Sequence, residues 1–229
     1  MLGTLVNVAA VVAGSLVGLT LHARLPKRLS EIAFQAIGLF TLFLGFSMAL
    51  RTQHVLILVF SIVGGSIAGE LLGIEAGLNR LGEWLKARLR LGSPRFSEGL
   101  VAAFLLFCMG SMTVLGAVEA GTGRTPTLYY AKSLLDGFAS IALASALGVG
   151  VVFSAIPLLL YQGGLTLLAR VLGTVLSDAI VAEMTAAGGL ILIGLGINIL
   201  EIRRLRVSNM LPALVVAALL AWVFLSPAK

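Results

Sequence analysis

The chain has little charge for its length, and this shortage limits its fold class. Only 11% of its 229 residues are Asp, Glu, Lys or Arg, whereas 59% are hydrophobic, and the mean hydropathy is +1.08. A soluble domain of this length needs more charged side chains to cover its surface. Apolar runs of about 18 residues or more recur along the chain, and each is long enough to cross the hydrocarbon core. The composition therefore predicts an all-α, polytopic helical membrane protein.

Cysteine, histidine and the common catalytic motifs are scarce or missing. The single cysteine, Cys108, lies in an apolar run, and His22 and His54 lie at predicted helix ends without ligand-spaced partners. These residues predict no disulfide, no metal site and no cofactor. The chain also has no Walker-type phosphate loop, HExxH motif, GxSxG motif or Cys/His group. We therefore expect that it is not an enzyme and that any active transport depends on an ion gradient.

The apolar runs predict about seven or eight transmembrane helices joined by short connectors. Seven crossings result if 128–147 or 151–168 is re-entrant. The apolar residues of 74–91 recur at three- and four-residue steps among basic ones, which predicts an amphipathic interfacial helix. No linker is long enough to separate two soluble domains, so 1–229 is predicted to form one integral membrane domain. The eight predicted crossings are 4–21, 32–50, 55–72, 98–118, 128–147, 151–168, 180–200 and 208–224.

Positive charge is distributed unevenly between the two sides of this topology. With eight crossings, eleven of the sixteen Lys and Arg residues fall on one side and five on the other. The richer side is expected to face the cytoplasm, which places both termini outside. The net charge of +6 thus fits cytoplasmic loops and does not predict nucleic-acid binding. The expected partners are the lipid bilayer and a small solute or ion, and the glycine-rich helix faces leave a homodimer open.

One short stretch occurs twice. Residues 18–24 read GLTLHAR and residues 164–170 read GLTLLAR, and each copy is followed by a Leu-Ser-acid tail. The copies lie on the first and the sixth predicted crossings, so they run in opposite directions and predict an inverted repeat, as in many secondary transporters. The first repeat unit covers about 4–50 and the inverted unit about 151–200. A parallel echo covers about 55–118, based on AGSLVG at 13–18 and GGSIAG at 64–69. The alternative is chance similarity between glycine- and leucine-rich helices.

The best candidates for chemistry lie on the predicted crossing 128–147. Lys132, Asp136 and Ser140 are spaced by four residues and therefore share one helix face. Ionisable groups inside a bilayer are costly, which makes each of them a candidate functional residue. Lys132 and Asp136 can pair in a low dielectric. One interpretation is a site for a coupling proton or a polar solute, and the other is a structural ion pair.

Further polar groups extend the predicted solute or ion pathway. Glu119 lies at the external end of the preceding apolar run, where it could form a salt bridge with Lys132. Uncharged polar groups in apolar runs need hydrogen-bond partners, because an unpaired amide in lipid is expensive. The candidates of this kind are Asn7, Ser111, Gln162 and Asn198.

Two stretches carry a resemblance to a known family. They are LYYAKSLLDGFASI at 128–141 and FSAIPLLLYQGGLTLL at 153–168. Together with the opening MLGTLVNVAAVVAGSLVG and with LSEIAFQAIGLF, they resemble the YdfK/YqgA-like bacterial membrane proteins, a domain family of unknown function. The resemblance covers nearly the whole chain and implies a multi-pass protein of the bacterial inner membrane, but it supplies no substrate. The positions that match its motif include Lys132, Asp136, Tyr161 and Gln162.

The opposed repeat and the buried polar face favour one function. They predict a small transporter or channel for a small polar or ionic solute, either driven by an ion gradient or passive. The alternative is a non-transporting membrane scaffold or regulator, whose polar residues only hold the helices together. An intramembrane enzyme is a third and weaker alternative.

Overall fold

The structure, a computed structural model, is helical wherever it describes regular secondary structure. It describes residues 1–22, 27–77, 80, 84, 95–108, 111–172 and 177–225. The helices are α1 Leu2–His22, α2 Lys27–Ala49, α3 Val55–Leu72, α4 Phe96–Cys108, α5 Ser111–Gly121, α6 Thr127–Leu147, α7 Gly150–Phe153, α8 Ala155–Leu172, α9 Asp178–Ile199 and α10 Pro212–Leu225, with a 3-10 turn, Val207–Met210, before α10. The predicted all-α class is confirmed. Most of the predicted amphipathic helix 74–91 lies outside the described residues, as does Arg24 at the end of the first repeat copy.

Five stretches of the described chain are long and apolar enough to cross a membrane. A sixth results if α4 and α5, which are bent by 64°, count as one broken span. The predicted seven or eight crossings would also require α2, whose apolar part is Gln35–Ala49, and α6, which carries Lys132 and Asp136. A multi-pass helical membrane protein is therefore established, whereas the larger count stays a prediction. The five spans are Leu2–Leu21, Val55–Leu72, Gly150–Val171, Asp178–Ile199 and Val207–Leu225.

Two helices that the sequence predicts to be continuous are each divided into two in the structure. The predicted crossing 98–118 is divided into α4 and α5. The predicted crossing 151–168 is divided at Ser154 into α7 and α8. Pro157 lies in the first turn of α8, where backbone N–H groups have no partner within the helix, so its missing N–H costs no helical hydrogen bond.

The chain folds into two compact units, which differ from the predicted repeat units. The first unit comprises Met1–Ile37, Asn79–Cys108 and Met112–Gly173, and the second comprises Gly38–Leu78, Met109–Ser111 and Thr174–Lys229. The first unit thus holds α1, α4, α6, α7, α8, nearly all of α5 and the first half of α2. The second holds α3, α9, α10 and the second half of α2. The single membrane domain over 1–229 stays a prediction.

In the first unit, α1 and α6 pack backbone against backbone. A Cβ on Gly14 would overlap the carbonyl oxygen of Gly137, and a Cβ on Gly18 would overlap that of Ile141. Because the contacting positions increase together, α1 and α6 run parallel. Small residues at four-residue spacing permit this close approach in lipid, where apolar side chains gain little from contact between helices.

In the second unit, α3 packs in a similar way, but in the opposite direction. A Cβ on Gly65 would overlap the backbone of Ala213, and one on Gly69 would overlap the carbonyl of Asn209. The contacting positions change in opposite senses, so α3 runs antiparallel to the 3-10 turn and α10. The two stretches of the parallel echo, 13–18 and 64–69, therefore pack in a similar way. Each contains two glycines in close contact with the backbone of another element.

The two copies of the repeated stretch differ in their packing. Gly18 of the first copy lies against α6, whereas Gly164 of the second copy has no atom within 4 Å of the position that a Cβ would occupy. The copies therefore do not use their equivalent glycines for the same contact. The inverted repeat stays a prediction from the sequence.

This difference predicts opposite effects of the same substitution at equivalent positions. Gly18→Ala places a methyl group on the carbonyl of Ile141 and at 2.8 Å from the Cβ of Ala144. It should lower the free energy of unfolding by about 1–3 kcal/mol, the usual cost of overpacking. Gly164→Ala should leave stability unchanged or raise it slightly, because alanine favours a helix over glycine. Unfolding of the purified variants in mixed micelles measures both, and equal effects would contradict the described packing.

Candidate functional site

One face of α6 carries buried polar side chains. Lys132, Asp136 and Ser140 are buried, as their spacing predicts, while Leu135 and Phe138 on the same helix are exposed. The Nζ of Lys132 lies 2.6 Å from Oδ2 of Asp136 and donates to it. Ser140 donates to the carbonyl of Asp136 within the helix. The ion pair is thus formed locally, and it faces the interior of the first unit.

Asn7 on α1 joins this ion pair to α8. Its Nδ2 donates to Oδ2 of Asp136 at 3.0 Å and to Oε1 of Gln162 at 2.9 Å. Asn7 and Gln162 are completely buried. We call Asn7, Lys132, Asp136 and Gln162 the polar cluster. It brings together four predicted site residues from three helices.

The charges of the polar cluster balance one another. Lys132 and Asp136 are 5% and 7% exposed, so both lie in a medium of low dielectric constant. A single unpaired charge there would carry a desolvation cost of several kcal/mol. The direct pair and the Asn7 amide reduce this cost for the carboxylate. Together these contacts give both ionisable side chains of α6 a hydrogen-bond partner inside the first unit.

Several buried polar atoms near the cluster are unpaired. Oδ1 of Asn7 has no hydrogen-bond partner among the described residues, whereas the Gln162 side chain lies within hydrogen-bonding reach of the Tyr129 hydroxyl. The hydroxyls of Thr4 and Ser15 on α1 are also buried and unpaired within that part of the chain. Buried polar groups in folded proteins are nearly always hydrogen-bonded, so these exceptions need an explanation. They show that α1 carries free hydrogen-bonding capacity, at Asn7 beside the ion pair and at Thr4 and Ser15 elsewhere along the helix.

Tyr129, one helical turn before Lys132, forms a second layer of buried hydrogen bonds. This residue was not among the predicted site residues. Its hydroxyl donates to the carbonyl of Thr113 at 3.1 Å and lies 3.4 Å from Oγ1 of Thr166. Thr166 in turn donates to the backbone carbonyl of Gln162. These bonds join α5, α6 and α8 and fix the part of α8 that presents Gln162. A tyrosine near a helix start gave no signal that it would be completely buried.

Glu119 has a different contact from the one expected. Glu119 accepts a hydrogen bond from the backbone N–H of Leu128 at 3.0 Å and so caps the start of α6. The structure therefore gives Glu119 a backbone partner in place of the expected salt bridge with Lys132, which pairs with Asp136. The side chain of Ser111 lies outside the described part of the structure.

In the second unit, Asn198 has a local structural contact. Its amide donates to the carbonyl of Leu205 at 2.8 Å and accepts from the N–H of the same residue at 2.7 Å. This pair of bonds closes the turn after α9. Asn198 thus closes the turn after α9, and both polar groups of its side-chain amide are paired with the backbone of Leu205.

Glu183 is a buried carboxylate whose partners the sequence did not reveal. It is 1% exposed and accepts hydrogen bonds from the hydroxyl of Thr52 and from the backbone N–H groups of Gln53 and His54. These N–H groups precede α3, where a helix leaves its donors unpaired and favours negative charge. Glu183 therefore ties α9 to the start of α3.

A further group of charged residues lies at the other end of α3. Glu70 pairs with Arg206 and accepts a hydrogen bond from Asn209, whose Oδ1 accepts the N–H of Glu75 at 2.7 Å. Burial raises the pKa of the Glu75 carboxyl, and the nearby charges of Arg204 and Arg206 oppose that rise. These contacts hold the 3-10 turn against the end of α3. No group of three or more metal-ligating side chains occurs among the described residues.

Comparisons with known proteins place nearly the whole chain within one family. The family model described as "Protein of unknown function (DUF554)" matches residues 2–222. The chain is 30% identical to "Uncharacterized membrane protein YdfK" of Bacillus subtilis (strain 168), with 97% of this chain and 96% of that protein covered. It is 31% identical to "Uncharacterized protein YqgA" of Escherichia coli (strain K12), with 94% of each covered. No solved structure gives a significant match.

The polar cluster predicts strong coupling between Lys132 and Asp136. Lys132→Met or Asp136→Leu alone leaves one buried charge unpaired and should lower the free energy of unfolding by about 3–5 kcal/mol. The double variant removes both charges and should lose less stability than either single variant. A double-mutant cycle in mixed micelles measures this coupling, with Leu135→Ala on the exposed face of α6 as control. Additive losses in the double variant would show that the two charges do not interact.

Proposed function

This chain belongs to the family described as protein of unknown function (DUF554), and we propose that it is a small transporter or channel of the bacterial inner membrane. Its cargo would be a small polar or ionic solute, moved passively or by an ion gradient. The observation that carries the proposal is the polar cluster, a buried ion pair beside two buried amides, of which Asn7 has a carbonyl oxygen without a partner among the described residues. The proposal includes no enzymatic activity and no cofactor.

The cost of the polar cluster supports this proposal. Ionisable side chains inside a membrane are rare and commonly mark solute, ion or proton pathways. A pair that served only to hold α1 and α6 together could be replaced by apolar side chains, often with a gain in stability. The buried Oδ1 of Asn7, which has no partner among the described residues, adds a further cost. A solute that binds this atom during its passage would explain why the cluster keeps it.

Helix directions within each unit support the eight-crossing topology that belongs to the proposal. The parallel contact of α1 with α6 requires an odd number of crossings between them, which α2, α3 and the broken span α4–α5 supply. The antiparallel contact of α3 with α10 also agrees with strict alternation. With this topology the basic side faces the cytoplasm, both termini lie outside, and the two repeat copies run in opposite directions.

A scaffold or regulator is the second candidate, and one observation favours it. α1 and α6 touch through their backbones at Gly14 and Gly137, which leaves no space for a solute between them at that level. In this alternative, the Lys132–Asp136 pair and the Asn7 amide only fix the relative position of the helices. Transport measurements separate the two candidates.

Flux into proteoliposomes tests the proposal. Purified protein is reconstituted, and entry of glycerol, urea, acetamide and acetate is followed by light scattering after an osmotic step. A pyranine-loaded sample reports proton flux. We expect at least one probe to enter faster than into protein-free liposomes, and we expect Asp136→Asn to reduce that rate at least about tenfold, as for loss of a buried interaction.

Leu135→Ala is the matched control for the flux measurement. Leu135 is adjacent to Asp136 in sequence but lies on the exposed face of α6, so this variant should keep the wild-type rate. Equal rates for wild type and a folded Asp136→Asn variant would remove Asp136 from the mechanism. Rates equal to those of empty liposomes for every probe would favour the scaffold.

A further inference from the structure

The Asp136 carboxylate uses only one of its two oxygens. Nζ of Lys132 donates to Oδ2 at 2.6 Å, and Nδ2 of Asn7 donates to the same oxygen at 3.0 Å. Oδ1 accepts no hydrogen bond from any residue in the part of the chain that the structure describes. Each oxygen of a carboxylate can accept about two hydrogen bonds. Oδ1 of Asp136 is therefore a free acceptor within the polar cluster.

Asn7 contributes a second free oxygen next to the carboxylate. Its two side-chain hydrogens are used by Asp136 and by Oε1 of Gln162. Its Oδ1 is buried and has no partner among the described residues. Two acceptors cannot pair with each other, so both oxygens lack a hydrogen. They belong to groups already joined by the 3.0 Å bond from Nδ2 to Oδ2, and a single hydrogen between them would satisfy both.

A carboxylic acid and a primary amide have matching shapes. Each is planar and holds its two terminal atoms about 2.2 Å apart. With the two planes side by side, an O–H at Oδ1 of Asp136 donates to Oδ1 of Asn7, parallel to the existing bond from Nδ2 to Oδ2. Only rotation about the terminal side-chain torsions is required, and these torsions are broad. The bond from Nδ2 to Gln162 is retained and fixes the plane of the amide.

The burial of the polar cluster favours a proton over a larger ligand. Asn7 and Gln162 are completely buried, so in this arrangement of helices a metal ion or an organic solute would have to displace protein atoms to reach them. A proton adds an O–H bond and nearly no volume. The side chain of Asp136 is 10% exposed, so its carboxyl can exchange a proton with the exterior of the first unit while the amides stay enclosed.

We propose that Asp136 takes up a proton on Oδ1 and shares it with Oδ1 of Asn7, so that the gradient which drives the transporter is a proton gradient. This inference rests on the proposed function, because it names the coupling ion of that site. Water on one side of the membrane supplies the proton, which forms an O–H bond with Oδ1. Its release to water on the other side restores the carboxylate. Lys132 and Asn7 keep their bonds to Oδ2 in both states.

The charge of Lys132 limits how firmly this proton is held. After uptake, the ammonium group still donates to Oδ2 but no longer faces a negative charge, so the polar cluster carries one net positive charge. A net charge in a low dielectric is costly, whereas the new hydrogen bond between two formerly unpaired oxygens is favourable. These opposing contributions keep the proton exchangeable, as a coupling site requires.

Other ionisable groups near Asp136 are few among the described residues. The thiol of Cys108, at the end of α4, lies within electrostatic range of both Asp136 and Lys132. Tyr161 of α8 lies within the same range of Cys108. The part of α1 before His22 and all of α7 contribute no ionisable side chain. An ordinary thiol or phenol is already protonated at neutral pH, so Asp136 is the group that can gain a proton there.

The carboxyl carbon of Asp136 reports proton uptake directly. Asp178→Glu leaves Asp136 as the only aspartate, so protein with 13C in the aspartate carboxyl gives one signal. In lipid bilayers, we expect this NMR signal to change from that of a carboxylate to that of a carboxylic acid between about pH 8 and about pH 5, where an exposed aspartate stays ionised. A signal that remains that of a carboxylate throughout would overturn the inference.

The dipolar coupling between Asp136 and Asn7 tests the sharing of the proton. With 15N in the asparagine side chains, the coupling of the Asp136 carboxyl carbon to Nδ2 of Asn7 is identified by its absence from Asn7→Leu. We expect this coupling at both ends of the titration, because the bond from Nδ2 to Oδ2 belongs to both states. Loss of the coupling on protonation would overturn the shared proton.

Flux measurements test the coupling ion. We expect an imposed pH gradient to drive proton flux into proteoliposomes, alone or together with a probe solute. Asp136→Asn should reduce this flux at least about tenfold, because a side-chain amide gains no proton in this range. Ser133→Ala is the matched control, since this buried hydroxyl donates to the Tyr129 carbonyl of its own helix, and it should keep the wild-type flux. Equal proton flux in a folded Asp136→Asn variant would overturn the inference. If that variant does not fold, the titration of the Asp178→Glu protein still decides.

The titration and the flux measurements separate failure of the inference from failure of the proposed function. Flux of a probe solute that does not respond to the pH gradient would keep a transporter and overturn proton coupling. A carboxylic acid signal without flux of any solute or proton would support proton uptake by Asp136 and overturn transport.

Discussion

The hydrogen bonds around the Asp136 carboxylate organise the first unit. A carboxylate inside a membrane protein must be paired where it lies, and Asp136 obtains its partners from Lys132 on its own helix and Asn7 on α1. The bond to Asn7 determines which face of α1 turns towards α6. The same face carries Gly14 and Gly18, whose lack of side chains lets the two backbones meet. Electrostatic pairing and close packing therefore require the same orientation of α1.

Local relations between residues were predictable from the sequence, and distant ones were not. The spacing of Lys132, Asp136 and Ser140 predicted a common helix face, and the structure forms the ion pair there. The partner of Asn7 lies 129 positions away, and only a fold can supply it. Glu119 illustrates the limit, since proximity at a helix end suggested Lys132, whereas the N–H of Leu128 lies within reach of its carboxylate. The sequence had indicated only that such amides need partners.

The fold class and the membrane character were predictable from composition. A chain with so few charged residues cannot cover its surface in water, whereas apolar helices are stable in lipid. Helix boundaries were less predictable. The break between α7 and α8 lies just before Pro157. This position places the proline in the first turn of α8, where a helix tolerates it. The twofold occurrence of GLTL-x-AR did not predict equal packing either, because Gly18 contacts a helix backbone and Gly164 contacts nothing within 4 Å. Similar sequences form similar helices, but the element that packs against each helix determines which of its residues make contacts.

The central claim is that Asn7 of α1 binds Asp136 of α6 inside the first unit. The sequence contains only two aspartates, Asp136 and Asp178, so an Asp178→Glu variant leaves Asp136 as the only source of an aspartate signal. Rotational-echo NMR in lipid bilayers, with 13C in the aspartate carboxyl and 15N in the asparagine side chains, then measures their dipolar coupling. The account predicts a coupling typical of a direct hydrogen bond, which disappears in Asn7→Leu. Absence of this coupling in the Asp178→Glu protein, or its survival in Asn7→Leu, would contradict the account.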